Sequence, residues 1–161
     1  MSPDANDLPR WMEILVLVAI ANAAPWCAGR LLKHRWAAPL DGGFTLTDGT
    51  RALGDHKTWR GLLTGTLSCA VAAQWMGYTF TLGFAFGLLS LVADSATSFA
   101  KRRWRLKPGT EVLVVDQLPE TLVPIAILAA PLGVSMREAA AISVVFLILG
   151  LAFTRLRHRG E

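Results

Sequence analysis

The chain has 161 residues, of which 53% are hydrophobic and 17% charged, and its mean hydropathy is +0.42. This composition is far from that of an average soluble domain and indicates a lipid bilayer as the surrounding solvent. The net charge of +4 comes mostly from Lys and Arg that flank apolar segments, without aromatic platforms between them, so nucleic acid is not expected as a partner. The length allows one domain, 1–161.

Five apolar segments are long enough, or nearly so, to cross about 30 Å of hydrocarbon as helices. They are Trp11–Leu32, Leu62–Tyr78, Phe80–Phe99, Leu118–Gly133 and Met136–Phe153. The fourth segment is short and contains three prolines, which predicts either a kinked span or a re-entrant helix. We therefore predict an all-α integral membrane fold with about five transmembrane helices.

The first segment invites a second interpretation as a signal peptide, because Ala21-Asn22-Ala23 resembles a cleavage site. The residues before the segment, however, hold Asp4 and Asp7 against Arg10 alone. A signal peptide begins with a positively charged region, and none is present. We expect this segment to be a retained membrane anchor.

The basic residues are distributed unequally between the two ends of the predicted spans. With five spans, 14 of the 16 Lys and Arg fall on the side that holds the two long loops and the C-terminus, and only Arg10 and Arg137 lie opposite. Because positive charge resists translocation, this distribution predicts an outside N-terminus, a cytoplasmic C-terminus and two basic cytoplasmic loops.

Two cysteines, Cys27 and Cys69, each lie within an apolar run and show no metal-ligand spacing. We predict that both are buried free thiols.

The third segment contains a polar stripe that a plain membrane anchor does not need. Asp94, Ser98 and Lys101 recur at helical spacing, and Arg102 lies next to them. An Asp at the centre of a span costs roughly 2.5–3.5 kcal/mol on insertion scales, and such residues usually face a bundle interior, a partner cation or an ion path. The alternative is an intrahelical pair between Asp94 and a Lys or Arg that reaches the interface.

A second polar group lies in the stretch LGDHKTWRG, residues 53–61. Lys57 and Arg60 bracket a predicted helix N-terminus, where free backbone N–H groups favour an anion. The alternative is that Asp55 or Thr58 caps the helix and that the cations mark the membrane interface. His56 is a lone histidine, and no metal site is expected there.

The stretch RLKPGTEVLVVDQLPE, residues 105–120, brings Asp116 to the start of the fourth segment. Asp116 could cap that helix. Asp94 and Asp116 nevertheless bracket one short basic loop, and both are expected near the cytoplasmic side. Two carboxylates that face a cluster of cations suit a Mg²⁺–nucleotide site, in which carboxylates and substrate phosphates hold the metal and Lys and Arg neutralise the remaining charge.

In that order, GDHKTWRG, ADSATSFAKRR and KPGTEVLVVDQLPE resemble the motifs of the CDP-archaeol synthase family of small integral-membrane cytidylyltransferases. The last two also resemble, more distantly, the signature of CDP-diacylglycerol synthases. ANAAP at 21–25 and DGG at 41–43 are similar to further elements of the family. The resemblance covers the chain from about Ala21 to Leu118.

The resemblance implies that CTP and a lipid phosphate, ether or ester, give a CDP-lipid and pyrophosphate with Mg²⁺ as cofactor, in phospholipid biosynthesis at the cytoplasmic side of the cell (inner) membrane. By that similarity Asp94 and Asp116 are metal ligands and catalytic residues, together with Lys101. The implied substrate-binding residues are Asp55, Lys57, Arg60, Ser98 and Arg102. The loop after Pro108-Gly109 departs from the diacylglycerol-type signature, because it lacks a His-Gly-Gly sequence.

Two other classes of protein remain open at this point. A small membrane transporter could use the buried Asp beside Lys and Arg as a relay, although the polar residues lie mainly on one side of the membrane, which disfavours alternating access. A lipid-binding scaffold could use the basic loops alone, but it has no need of two carboxylates beside them.

Two small-residue patterns, Gly61-x-x-x-Gly65 and Gly83-x-x-x-Gly87, predict close approach of helices. The approach could lie within the chain or in a homodimer.

Overall fold

The computed structural model describes residues 8–106 and 113–159, and the side chains of residues 8–106 and 117–152. The helices are α1 (Arg10–Leu32), α2 (Trp59–Trp75), α3 (Phe80–Arg103), α4 (Leu113–Ile127), α5 (Ala129–Leu132) and α6 (Met136–Arg159). Among these residues the only β-type pairing is two isolated bridges in the loop between α1 and α2. The all-α prediction is confirmed.

The helices overlap the five predicted segments, and α3, α4 and α6 extend beyond them. Local chemistry explains two further differences. α2 begins three residues early because Thr58 caps it, with the Gly61 N–H donating to Thr58 Oγ1 at 3.1 Å. The fourth segment is divided into α4 and α5 at Leu128. Pro131 has no N–H to donate to the Ile127 carbonyl one turn earlier, so the helix is interrupted there.

Two of the helices, α1 and α3, are long and apolar enough to cross a membrane, judged by length and composition within the described residues. α3 lies at the centre of the packing, between α2 and α4, while α1 packs on α2 and α6 packs on α4. The buried core joins one face of α1 to the other helices through Ile14, Leu17, Val18, Ala73, Phe86, Ile125, Leu132, Ala139 and Ile142.

Glycines bring α2 and α3 into close contact within the chain. A Cβ added at Gly83 would overlap the Cβ of Ala73 and lie 2.6 Å from the Cys69 carbonyl oxygen. A Cβ added at Gly87 would lie 2.9 Å from the Cα of Thr66. Two helix backbones can approach this closely only where one side contributes no side chain. The small-residue pattern in α3 therefore serves packing within the chain.

We expect Gly83→Ala to lower the free energy of unfolding by about 1–3 kcal/mol, because α2 and α3 must move apart to admit the methyl group. The apparent melting temperature in detergent measures this effect. Gly29→Ala is the matched control in α1, since its added Cβ would find its nearest neighbour, Arg60 Nη2, at 3.7 Å. Equal melting temperatures for the two variants would show that the contact between α2 and α3 can accommodate a methyl group at residue 83 without loss of stability.

The prediction for the cysteines is only half right. Cys69 is buried, and its Sγ donates to the Leu17 carbonyl oxygen at 3.4 Å. Cys27 is an exposed free cysteine. The register of α1 explains the difference, because its buried face runs through Leu17, Ala21 and Ala28, and Cys27 points about 100° away from that face.

Candidate active site

A cavity of about 480 Å³ lies among α1, the loop of residues 33–58, the start of α2 and the middle of α3. Its polar lining includes Asn22, Trp26 and Arg30 from α1, Asp55, His56, Lys57 and Thr58 from the loop, Arg60 from α2, and Asp94 from α3. On α3 the cavity is lined by Leu91 and Asp94, and Asp94 lies nine residues, or about 13 Å, before the end of that helix. The cavity is therefore a polar recess inside a bundle of apolar helices.

The ion pair between Lys57 and Asp94 is the central feature of this recess. Lys57 Nζ donates to Asp94 Oδ2, and the two side chains are 21% and 22% exposed. The partner of Asp94 thus comes from the loop before α2, 37 residues away in sequence, and the intrahelical pair considered above is not the one that forms. Because both charges are largely removed from solvent, loss of either side chain would leave the other charge without a partner.

The position of Lys57 is fixed by backbone hydrogen bonds across the loop. The Leu40 N–H donates to the Lys57 carbonyl at 2.7 Å, and the Trp59 N–H donates to the Ala38 carbonyl at 3.1 Å. The Lys57 N–H donates to the Gly54 carbonyl at 3.2 Å. These bonds join the two ends of the loop and hold Lys57 over α3.

Asp41 organises the same loop, a role that was not predicted from the sequence. Its carboxylate, only 3% exposed, accepts a hydrogen bond from Arg51 Nη2 at 2.7 Å and from the N–H groups of Leu53 and Gly54 at 3.0 and 3.2 Å. The Arg51 guanidinium holds the pKa of the Asp41 carboxyl well below its ordinary value. The signal in the sequence was the Asp-Gly-Gly turn, since the Gly43 N–H also donates to Asp41 at 3.1 Å.

A second contact attaches the loop to the end of α3. Arg103 Nη1 donates to Asp48 Oδ2 at 2.9 Å, and Arg103 Nη2 donates to Thr50 Oγ1. From the sequence, Arg103 was predicted only to be one of the basic residues that flank the membrane. The loop is therefore held to α3 at two places, by Lys57 near the helix centre and by Arg103 at its end.

Two guanidinium groups predicted to bind phosphate, those of Arg60 and Arg102, donate to backbone carbonyls in the structure. Arg60 Nη1 donates to the carbonyls of Lys33 and Arg35 at 2.9 and 2.5 Å, which satisfies oxygens beyond the end of α1. Arg102 Nη1 donates to the Leu106 carbonyl at 2.5 Å beyond the end of α3. Among the described residues, the Nε atoms of both arginines are buried without a partner. Arg60 still lines the cavity through its remaining surface.

The predicted site residues divide into two groups in the structure. Asp55, Lys57, Arg60 and Asp94 come together at the cavity, with Asp55 exposed at its edge and paired to Arg51 at 2.9 Å. Ser98, Lys101 and Arg102 do not line this cavity and are buried further along α3, with exposures of 6%, 8% and 8%. The side chain of Asp116 lies outside the described residues, although its backbone belongs to α4.

The carboxylate oxygens at the cavity are suitable ligands for a divalent cation such as Mg²⁺. Asp94 Oδ2 pairs with the Lys57 ammonium, and Oδ1 accepts no hydrogen bond from the described part of the chain. No three His, Cys, Asp or Glu side chains cluster as metal ligands within the same residues. Mg²⁺ is ordinarily held by one or two carboxylates together with substrate phosphates, so a carboxylate with one free oxygen, beside a cavity of about 480 Å³ that has room for phosphates, is compatible with it.

Comparisons with known proteins agree with this architecture. The CarS-like family of CDP-archaeol synthases matches residues 28–158. CDP-archaeol synthase of Thermofilum pendens is 41% identical over 118 residues, covering 70% of this chain and 58% of that protein. CDP-archaeol synthase of Sulfurisphaera tokodaii is 30% identical over 127 residues, covering 75% and 76%. The chain thus spans less than two thirds of the length of the Thermofilum relative.

A solved structure is also similar over nearly the whole chain. It belongs to an intramembrane enzyme for archaeal membrane lipids biosynthesis, is 34% identical in sequence, and superposes with a TM-score of 0.72 over 89% of this chain and 91% of that one. The chain belongs to the CDP-archaeol synthase family.

Proposed function

We propose that this protein is a CTP-dependent cytidylyltransferase that converts a membrane lipid phosphate into a CDP-activated lipid and releases pyrophosphate. The observation that carries the proposal is the polar cavity within the helix bundle, where Lys57 and Arg60 flank the inward carboxylate of Asp94. A reaction between two phosphate anions needs cations at such a place, because the reactants otherwise repel each other. The family relationship supports the same reaction.

The chemistry needs positioning more than it needs a base. A lipid phosphate is already ionised at neutral pH, so its oxygen can attack the α-phosphorus of CTP without losing a proton to the protein. The bond from that phosphorus to the bridging oxygen breaks, and its electron pair leaves with pyrophosphate. Lys57 and Arg60 would neutralise the phosphates and hold donor and acceptor in line.

Mg²⁺ would be held at Asp94, with Asp116 as the predicted second carboxylate, and would supply further neutralisation of the triphosphate. Lys57 can transfer from Asp94 to a phosphate oxygen, since its flexible stem reaches the cavity from the loop. Lys101, Ser98 and Arg102 continue along α3 towards the loop before α4, where we expect them to contact phosphate groups. Asp55 would lie at the edge of the nucleotide site.

We further propose that the chain crosses the cell (inner) membrane five times, with an outside N-terminus and the cavity open to the cytoplasm. The spans α1 and α3 support this arrangement, as does the concentration of Lys and Arg at the cavity end of the molecule. A homodimer stays a prediction. Reporter fusions after residues 45 and 134 would test the orientation by giving opposite signals.

The test of the reaction uses purified protein in detergent with radiolabelled CTP, Mg²⁺ and a panel of diacyl and diether lipid phosphates. We expect labelled CDP-lipid from at least one lipid class, and removal of Mg²⁺ by a chelator should stop its formation. Absence of product from every lipid, in protein with a cooperative melting transition, would overturn the proposal. Solute flux in proteoliposomes without CTP would then favour the transporter alternative.

A further inference from the structure

Asn22 is a polar residue in the middle of the apolar helix α1, and its orientation is fixed by the backbone. Its Nδ2 donates to the Val18 carbonyl oxygen at 3.0 Å, one turn earlier. Because a carbonyl oxygen only accepts hydrogen bonds, the amide nitrogen must face Val18 and Oδ1 must face away from it. Asn22 lines the cavity, and its Oδ1 is not among the buried atoms without a partner. No hydrogen bond to Oδ1 forms within the described part of the chain, so this oxygen is available as an acceptor at the cavity.

Trp26 lies one turn further along α1 and lines the same cavity. Its side chain is 60% exposed, and the Arg30 guanidinium lies over its ring at 4.4 Å from the centroid. This cation–π contact covers one face of the indole and restrains its orientation. A planar group inside the cavity can stack on the rest of the exposed ring.

Together the two residues form a flat platform with a hydrogen-bond acceptor about 6 Å away along the helix axis. We propose that Asn22 and Trp26 recognise the base of the nucleotide: Trp26 stacks on the pyrimidine ring, and Asn22 Oδ1 accepts a hydrogen bond from the exocyclic amine of cytosine. This inference rests on the proposed function, because it names the residues that select CTP as the donor.

The geometry explains selection of cytosine against uracil. Cytosine carries an amine donor at position 4, whereas uracil carries a carbonyl acceptor there. Asn22 cannot rotate its amide to suit uracil without leaving the Val18 carbonyl facing an oxygen. A site built to receive a donor discriminates against an analogue that lacks it, because the bound base would cover the acceptor and leave it unpaired.

The experiment compares kcat/KM for CTP and UTP in the wild type, Asn22→Leu and Trp26→Ala. We expect Asn22→Leu to reduce the CTP/UTP ratio roughly tenfold, the loss expected for one hydrogen bond. We expect Trp26→Ala to raise KM for both nucleotides roughly tenfold or more and to leave the ratio unchanged, because stacking does not depend on the exocyclic group. If the ratio of kcat/KM for CTP to that for UTP is the same in Asn22→Leu as in the wild type, the proposal is overturned.

Two further variants separate base recognition from a general effect on α1. Ala23→Leu changes the next residue, which faces the apolar groove on the other side of the helix beside Leu67, and should leave both ratio and KM unchanged. Asn22→Ser replaces Asn22→Leu if the latter does not fold. Its hydroxyl can still donate to the Val18 carbonyl but is too short to reach the base, so the same loss of ratio is expected.

A binding measurement distinguishes failure of this inference from failure of the proposed reaction. CTP and UTP are compared for their ability to raise the melting temperature of the protein without added lipid. If the wild type makes no CDP-lipid but is stabilised more by CTP than by UTP, and Asn22→Leu removes that difference, base recognition stands and the reaction is wrong. If neither nucleotide stabilises the wild type and no product forms, both are overturned.

Discussion

Asp94→Asn is expected to lower the rate of CDP-lipid formation by roughly a hundredfold or more, while the protein still inserts and folds. The amide keeps the size of the carboxylate but loses the charge that pairs with Lys57 and that would hold the metal. The measurement is kcat with saturating CTP and lipid phosphate. Asp48→Asn is the matched control, since it removes a carboxylate that pairs with α3 from the loop side, is 45% exposed and does not line the cavity, and the change should cost several-fold at most.

The same ion pair also allows a structural role to be separated from a role in the reaction. Lys57→Met should lower the free energy of unfolding by about 1–3 kcal/mol, because Asp94 is left without its cation. Combining Lys57→Met with Asp94→Asn should restore most of that stability, since no charge is then unpaired. Activity should stay low in the double variant. Recovery of activity together with stability would reduce Asp94 and Lys57 to a structural ion pair.

The second large effect is expected from Asp41→Asn. The change removes the charge that Arg51 needs and weakens the bonds that hold residues 53 and 54, at a local cost of about 2–3 kcal/mol. Because Gly54 in turn binds the Lys57 backbone, kcat/KM should fall roughly tenfold to a hundredfold as Lys57 loses its fixed position. Hydrogen exchange of residues 38–58 should show the loop opening faster.

Asp55→Asn is the matched control for hydrogen exchange, because Asp55 binds the same Arg51 but its side chain is 82% exposed. It should leave the protection of the loop close to that of the wild type. Unchanged protection in Asp41→Asn would show that the loop is held by its backbone bridges alone. Rapid exchange in both variants would show that the loop is stabilised by the position of Arg51, which pairs with both carboxylates, and not by Asp41 in particular.

The pH dependence of the loop provides an independent test of Asp41. Its carboxyl pKa is lowered from an ordinary value of 3.8, first by Arg51 and then by the backbone N–H groups. A lowered carboxyl pKa contributes stability that is complete above the ordinary value and is lost as pH falls towards the folded-state value. Protection of residues 38–58 should therefore be constant above about pH 5 and decline below pH 4. Asp41→Asn should show a smaller decline, because Asp48 remains in the same loop and its carboxyl pKa is also lowered, by Thr50 and Arg103.

The helices could be predicted from sequence because their determinants are local. Each apolar run is bounded by turn or capping residues such as Thr58 and Gly77, and a helix satisfies its backbone hydrogen bonds within one segment. Asp94 could be singled out for a related reason, since a carboxylate in an apolar helix is costly wherever the chain goes afterwards. The order of the motifs also sufficed to indicate the family.

The contacts of the site depended on the path of a loop, which has no periodic pattern. That Asp94 pairs with Lys57 follows from the pairing of residues 38–40 with 57–59 and from the hydrogen bonds to Asp41. The donation of Arg60 and Arg102 to backbone carbonyls depends on where α1 and α3 end in space. These arrangements join residues distant in sequence, and only the folded chain brings them within hydrogen-bonding distance.

The orientation of residues around α1 was likewise decided by packing. The sequence determined that α1 is an apolar helix containing Asn22, Trp26 and Cys27. Only the contact of α1 with α2 decided that Asn22 and Trp26 face a polar cavity while Cys27 faces outwards. α1 is apolar nearly all round, so its sequence carries no amphipathic pattern that distinguishes one face from another. The choice of face is made by close packing against neighbouring helices, which a single segment does not encode.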